Sequence, residues 1–346
     1  MDTYAFILAG GRGERFWPLS TFNRPKQFVT LFGGKPLLAH AVDRLEGLVP
    51  PERIYVITSE DLLEATHAAL PAIPRKNLIG EPMGRDTAAA VAVACGIVMK
   101  RDPKGVAAIL TADHIMADEA AFRATLADAY AVAARQDVIA TLGIVPTFPA
   151  TGYGYIECGA PLDMALATPF RHVKRFVEKP DLPTAAAWLE TGAFVWNAGM
   201  FIWRAEVMAA AYRAHAPAWL PLVEAQEAMA TLYPTLTKLS VDYAIMEKSD
   251  NLVVARGAFG WNDVGSLPAL ADLFPADADG NVALAPMAAL ESKGCIVVAE
   301  GDGRPTALLG VEDLVIAHTP KATLVCSKAR AQQLKALVAQ LPPELR

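Results

Sequence analysis

Apolar residues follow two periods in turn along this chain. Tyr4–Leu8 is a short continuous apolar run closed by glycines, the mark of a buried strand. Apolar positions at helical intervals follow over 36–45, and Arg53–Thr58 reads as a strand. A helix pattern over 61–70, a short strand at 77–79 and an alanine-rich buried helix over 88–99 come next. The alternation continues with a strand at 106–110, a helix at 120–135, a strand at 138–145, a helix at 182–190 and a strand at 252–255. Such a series predicts an α/β fold, Rossmann-like, with a mixed, mainly parallel sheet flanked by helices.

The texture changes after Leu267. Pro275–Asn281 is a polar, turn-rich connection, and 282–325 carries short apolar segments separated by glycines and prolines, ahead of a closing helix at 329–341. Short strands at close spacing predict a small β unit. The expected domains are therefore 1–270 and 280–346.

Composition narrows the class. The 346 residues are 53% hydrophobic and 20% charged, a globular balance with a large core. The longest apolar run, 87–99, falls short of the roughly 18 residues that span a bilayer, so no membrane segment is expected. No basic segment precedes the first apolar residues, which argues against a secretory leader. Four scattered cysteines without a C-x-x-C pair suit free thiols in a reducing compartment, giving the cytoplasm as the expected location. A net charge of −6 with no basic run argues against a general nucleic-acid surface.

Against that negative total, the stretch from Ala9 to Gln27 holds Arg12, Arg15, Arg24 and Lys26 and only one acid, Glu14. Gly10, Gly11 and Gly13 remove side chains where the first strand ends, so backbone N–H groups can turn toward an anion. Glycine-rich turns beside arginines also occur as solvated surface loops, and the loop alone leaves both readings open. It is not a dinucleotide fingerprint, because Phe16 stands where the third glycine belongs, and it is not a P-loop.

Loops after strands are where an α/β sheet keeps its chemistry. Asp113, just past the 106–110 strand, suits Mg²⁺, which takes one or two carboxylates. Its other reading is a helix cap, although Asp118 is better placed for that. In Gly80–Thr87, Asp86 or Thr87 is placed to cap the following helix. Gly154 and Tyr153 lie in a turn that admits either a ligand or an ordinary hairpin. Glu178 and Lys179 end a strand before Pro180, either as a surface pair or as a polar site. Asn197 and Gly199 form an Asn-x-Gly turn with an amide suited to a sugar hydroxyl.

Leu8–Ser20, reading Leu-Ala-Gly-Gly-Arg-Gly-Glu-Arg-Phe-Trp-Pro-Leu-Ser, with Arg24-Pro-Lys-Gln27, resembles the signature of the nucleotidyltransferases that activate sugar 1-phosphates, most closely the mannose-1-phosphate guanylyltransferases. The resemblance implies that Ala9, Gly10, Gly11, Arg12 and Gly13 wrap the nucleotide of GTP and that Arg15 and Lys26 hold its phosphates. It implies that the loop with Glu81, Arg85, Asp86 and Thr87 lies against base and ribose, with Glu81 at the guanine edge. For mannose 1-phosphate it implies Tyr153, Gly154, Glu178, Asn197 and Gly199 at the sugar and Lys179 at the phosphate. Asp113 and Asp263 are expected to share one Mg²⁺. The small β unit is expected to resemble a left-handed β-helix, and the family's habit of pairing through it implies a homodimer.

Overall fold

The structure is a computed structural model in which residues 2–11, 13–225, 229–301 and 304–346 are described. Arg12, among the expected nucleotide ligands, lies outside them.

The chain divides into two compact units. The first takes in Met1–Gly10, Ala41–Ala112 and Met116–Trp261. Its strands are β1 (Thr3–Leu8), β2 (Ile54–Ser59), β3 (Leu78–Glu81), β4 (Val106–Thr111), β6 (Ile139–Ile144), β7 (Gly154–Pro161), β8 (Phe170–Glu178), β9 (Phe194–Arg204) and β10 (Leu252–Gly257). The two-residue strands β5 (Ile115–Met116) and β11 (Trp261–Asn262) complete the numbering to this point. Nine strands form one sheet in the order β3-β2-β1-β4-β9-β6-β10-β8-β7.

The mixed character has a physical origin in β9. Strands β3, β2, β1 and β4 run parallel, as do β6 and β10, but β9 enters antiparallel between β4 and β6. Its eleven residues shift register between Thr141 and Gly143, where Gly199 takes φ +69°, and it then pairs with β7. The parallel quartet sets the site, because Leu8 lies level with Ile57 and Thr111, and Ile57 level with Ile79. The carboxyl ends of β1, β3 and β4 therefore open on one edge of the sheet, where α/β ligands bind.

Helices α1 (Leu37–Asp43), α2 (Leu63–Ala69), α3 (Thr87–Arg101), α4 (Glu119–Arg135), α5 (Leu182–Thr191) and α6 (Ala205–His215) alternate with the strands. Helix α3 is apolar on every side and buried from Ala88 to Val98, its small residues allowing close packing. The Asp118 carboxylate accepts from the Ala121 N–H at 2.9 Å and caps α4, which frees Asp113 from that duty. Short helices α7 (Leu220–Glu224), α8 (Met229–Leu232) and α9 (Val241–Ala244) follow.

The second unit comprises Gly11–His40, Asp113–Ile115 and Asn262–Arg346. Strands β12 (Val282–Leu284), β14 (Ile296–Ala299) and β16 (Leu314–His318) stack in parallel, and β17 (Thr323–Ser327) closes their sheet antiparallel. Between these rungs the chain visits a second parallel pair, β13 (Met287–Leu290) and β15 (Thr306–Leu309). Alternation between two parallel ladders is a β-helix-like coil. Its core joins Val282, Ile296, Val315 and Leu324 to Phe16, Trp17 and Leu19, so the motif after the glycines packs with this coil. The closing helix forms only in part, as a 3₁₀ turn over Lys328–Gln333 followed by α10 (Leu334–Val338).

Candidate active site

Two groups of predicted residues assemble in the first unit. At the end of β1, Ala9 is buried and Gly10 lies against the end of β3, where a Cβ would sit 3.5 Å from Glu81 Oε2. Glu81 is 8% exposed, and its Oε1 accepts from the Tyr233 hydroxyl at 3.1 Å. Burial is the main cause that pushes its pKa up to about 7; the Tyr233 hydrogen bond opposes this and the Asp86 charge adds to it. Arg85 is half-buried, donating from Nε to the Tyr233 carbonyl at 2.7 Å and from a terminal nitrogen to the Pro234 carbonyl at 2.9 Å. Asp86, at φ +65°, accepts from the Thr87 N–H and caps α3, and Thr87 Oγ1 accepts from the Val241 N–H at 2.8 Å. Asp86 thus has the capping role available to it in the sequence.

The second group converges on Gly154. A Cβ there would lie 2.3 Å from Glu178 Oε2 and 3.3 Å from Asn197 Cβ, so a side chain at this position would displace the Glu178 carboxylate from where it sits. Glu178 Oε2 is buried without a hydrogen-bond partner among the described residues. Burial first, then the charges of Asp242 and Glu247, push the Glu178 pKa up to about 7 against the opposing pull of Lys179. Asn197 donates from Nδ2 to Asp242 Oδ1 at 2.9 Å and accepts at Oδ1 from the Gly199 N–H at 2.9 Å. Tyr153 meets the rings of Trp196 and Trp261 edge-on, with centroids 5.1 and 5.4 Å away. Lys179 is exposed and holds φ +57°.

In the second unit Lys26 is the organising group. Its side chain is 7% exposed, and Nζ donates to Asp113 Oδ2 at 2.8 Å and to the Asp263 carbonyl at 2.7 Å. One buried ammonium thus joins the two aspartates, although 150 residues separate them in sequence. Burial would raise the Asp113 pKa, but the Lys26 charge, with His114 adding to it, holds the carboxyl below its ordinary value. Gly13, at φ +64°, allows the approach: a Cβ there would sit 2.4 Å from Lys26 Cβ. The Gly13 carbonyl accepts from the Ser20 hydroxyl at 2.6 Å. Gly11 is exposed, and Arg15 is exposed and donates to Gln332 Oε1 at 3.0 Å.

The loop that carries Asp263 is strained. Val264 is fully buried at φ +47°, a region costly for a β-branched residue, and side-chain oxygens of Asn262 and Asp263 accept from the Val264 and Gly265 N–H groups. Five non-glycine residues among those described have positive φ; Asp86 and Lys179 are predicted site residues, and Val264 follows a third, Asp263. Strain of this kind, of order 1–3 kcal/mol each, concentrates at functional sites.

The donor set fits a hard cation. Lys26 keeps Asp113 ionised while also donating to the backbone carbonyl of Asp263, and no group of three or more His, Cys, Asp or Glu poised for a metal exists among the described residues. Mg²⁺ needs no larger cage, since one or two carboxylates and substrate phosphates complete its shell.

A parallel-edged α/β sheet, a glycine loop and a lysine joined to two aspartates are the parts of a nucleotidyl transferase. The nucleotidyl transferase family matches residues 4–280, and the MannoseP isomerase/GMP-like beta-helix domain matches residues 287–341. The chain belongs to the nucleotidyl transferase family. It is 36% identical over 347 residues to the mannose-1-phosphate guanylyltransferase of Escherichia coli, covering 96% of this chain and 72% of that one. It is 34% identical over 354 residues to the alginate biosynthesis protein AlgA of Pseudomonas aeruginosa, covering 97% and 71%. The crystal structure of mannose-1-phosphate geranyltransferase from Thermus thermophilus superposes with a TM-score of 0.89 at 37% identity, covering 98% of this chain and 99% of that one.

Tyr233 and Gln332 carry side-chain contacts to predicted site residues that the sequence did not signal. Tyr233 and Gln332 lie 152 and 317 residues from their partners, with no local signal to link them. Asp242, which accepts from Asn197, had a signal: the Ser240–Glu247 stretch begins as a capped helix, and the family resemblance implies a structural place for it under the sugar site.

Proposed function

We propose that this enzyme transfers GMP from GTP to mannose 1-phosphate, giving GDP-mannose and pyrophosphate. A phosphate oxygen of the sugar 1-phosphate attacks the α-phosphorus in line, and the bond from that phosphorus to the β-phosphate bridging oxygen breaks. The nucleophile is already ionised at neutral pH, so the reaction asks for charge and orientation in place of a general base. Orientation supplies roughly 7–11 kcal/mol in favourable cases.

The observation that carries this reading is Lys26 Nζ, bonded at once to the Asp113 carboxylate and the Asp263 carbonyl. Asp113 and Asp263 would hold Mg²⁺, which when bound neutralises phosphate charge and acts as a Lewis acid. Lys26 and Arg15 bind triphosphate oxygens, and Lys179 binds the phosphate of the sugar. Glu81, in its ionised form, accepts from the N1–H and N2–H of guanine. Glu178 and Asn197 take sugar hydroxyls, with Tyr153 and Trp196 offering an aromatic wall. A homodimer belongs to the same proposal, and light scattering of the purified chain tests it.

Pyrophosphate release from a matrix of nucleoside triphosphates and sugar 1-phosphates with Mg²⁺ tests the reaction. GTP with mannose 1-phosphate is expected to give the highest kcat/KM. A preference for another pair reassigns the substrate within the family, and no release from any pair removes the reading.

A further inference from the structure

Asp242 stands in α9, a turn tied to the start of α3 from several sides. The Leu239 N–H donates to the Arg85 carbonyl at 3.3 Å, the Ala88 N–H to the Leu239 carbonyl at 3.1 Å, and the Val241 N–H to Thr87 Oγ1 at 2.8 Å. Ser240 caps the turn by accepting from the Tyr243 N–H. The Asp242 backbone is therefore held on both sides, and its carboxylate reaches Asn197 Nδ2 at 2.9 Å.

That contact decides which way the Asn197 amide faces. Its oxygen takes the Gly199 N–H at 2.9 Å, and one of its two amide hydrogens goes to Asp242. Turned over, the amide would set N–H against the Gly199 N–H and oxygen against the carboxylate, two repulsive contacts in place of two bonds. The second amide hydrogen is left over, on the side chain that shares Gly154 with Glu178, whose Oε2 is buried without a donor among the described residues. A hydroxyl both donates and accepts, so it answers an amide N–H and a carboxylate oxygen together.

We propose that Asp242 is a positioning residue for the sugar phosphate: its carboxylate locks the Asn197 amide so that one N–H remains for a substrate hydroxyl. This rests on the reading of Asn197 and Glu178 as hydroxyl partners given above. Asp86 and Glu178 already surround Asp242 with negative charge, so what Asn197 needs from it is an acceptor at a fixed place more than a charge. An asparagine at 242 retains that acceptor; an alanine does not.

Steady-state pyrophosphate release with each substrate varied in turn separates the alternatives. Asp242→Ala is expected to raise KM for mannose 1-phosphate about tenfold, the scale of a lost hydrogen bond to a charged group. KM for GTP should stay within about twofold, and Asp242→Asn should recover most of the loss, because the two effects are local and separable. Adding Asp242→Ala to Asn197→Ala should cost nothing further, since residues acting through one contact are not additive. The proposal is overturned if Asp242→Ala leaves the sugar KM unchanged, raises both KM values alike, or adds its full effect to Asn197→Ala. Thermal melting of all three variants identifies a folding defect, in which case Asp242→Asn together with Asn197→Ala decides: a sugar KM unchanged by Asn197→Ala overturns it. Failure of the parent reading is a different result, absence of turnover in the unaltered enzyme.

Discussion

Glu81 and Glu178 in the first unit and Asp113 in the second are carboxylates on which burial acts first, yet the outcomes are opposite. The two glutamates are pushed up to about 7, because each faces other acids and finds only a hydroxyl or one exposed lysine in return. Asp113 is held low, because a buried ammonium at 2.8 Å outweighs its desolvation. A carboxyl poised near neutrality suits a reader of N–H and O–H groups that gains its donor from a ligand. One that stays ionised at any physiological pH suits a phosphate and metal site. The surroundings, more than the residue type, assign the task.

The largest effects should come from breaking the ionised side of this contrast. Asp113→Asn, Asp263→Asn and Lys26→Met are each expected to lower kcat/KM by about 10²–10³-fold or more, the range seen when a charge-stabilising group is removed. Lys26→Met should in addition leave Asp113 without its cation, so that its carboxyl titrates at higher pH by NMR. Pyrophosphate release near the unaltered rate in either asparagine variant would falsify the metal and phosphate roles.

Gly154→Ala strikes the other side. The added methyl would fall 2.3 Å from Glu178 Oε2, so the carboxylate or the strand must move. Displacements of about 1 Å near reacting groups cost up to about a hundredfold. The loss should appear in KM for the sugar phosphate, with GTP binding by calorimetry little altered. Equal losses for both substrates would mean that Gly154 serves the sheet and not the sugar.

The parts of this contrast differ in how far they could be read from sequence. Periodicity located β1, β2, β4, α3 and α4 to within a residue or two, and with them the loop that carries Asp113, whereas Glu81, read as lying in the loop after a strand at 77–79, is the last residue of β3. Asp118 could be preferred over Asp113 as the cap of α4 because capping is local. Glu178 and Asn197 are brought together at Gly154 by the pairing of β7 with β8 and β9, Asp242 joins them from α9, and Tyr233 reaches Glu81 across 152 residues, so neither pKa shift had a trace in the neighbouring residues. The antiparallel entry of β9 into the sheet was equally hidden, since an apolar run looks alike in either direction. Family resemblance supplied the pairing of Asp113 with Asp263, which spacing alone did not contain. Arg85 donates from two of its nitrogens to the Tyr233 and Pro234 carbonyls, which ties it to the segment that supports Glu81.

A pH series sharpens the comparison with a smaller effect. A glutamate raised to about 7 binds a proton in the folded state that the unfolded chain, with its lower carboxyl pKa, has released. Glu81 and Glu178 therefore favour the folded state least at high pH, and their contribution to stability falls as pH rises from about 4.5 to 7. Binding runs the other way: with guanine held by the Glu81 carboxylate as proposed, GTP affinity should weaken by up to about tenfold for each pH unit below 7. Calorimetry of GTP binding from pH 5.5 to 8 checks this, with Glu81→Gln expected to bind weakly throughout and to lose the slope. A slope that survives in Glu81→Gln assigns the titration elsewhere.

The smallest change expected is at the second unit's outer cation. Arg15 and Lys26 are both proposed to bind triphosphate, yet Lys26 is buried between two acceptors and Arg15 is exposed, with Gln332 at 3.0 Å. An exposed hydrogen bond from a guanidinium to a neutral amide competes with water and, no stronger than an exposed ion pair, contributes about 0.5 kcal/mol. Gln332→Ala should therefore change KM for GTP by less than about threefold and leave the melting temperature unmoved, whereas Arg15→Ala removes a charge and should cost far more. If Gln332→Ala instead matches Arg15→Ala, the amide orients the guanidinium as strictly as Asp113 and Asp263 hold Lys26, and the division between a fixed inner lysine and a loosely held outer arginine fails.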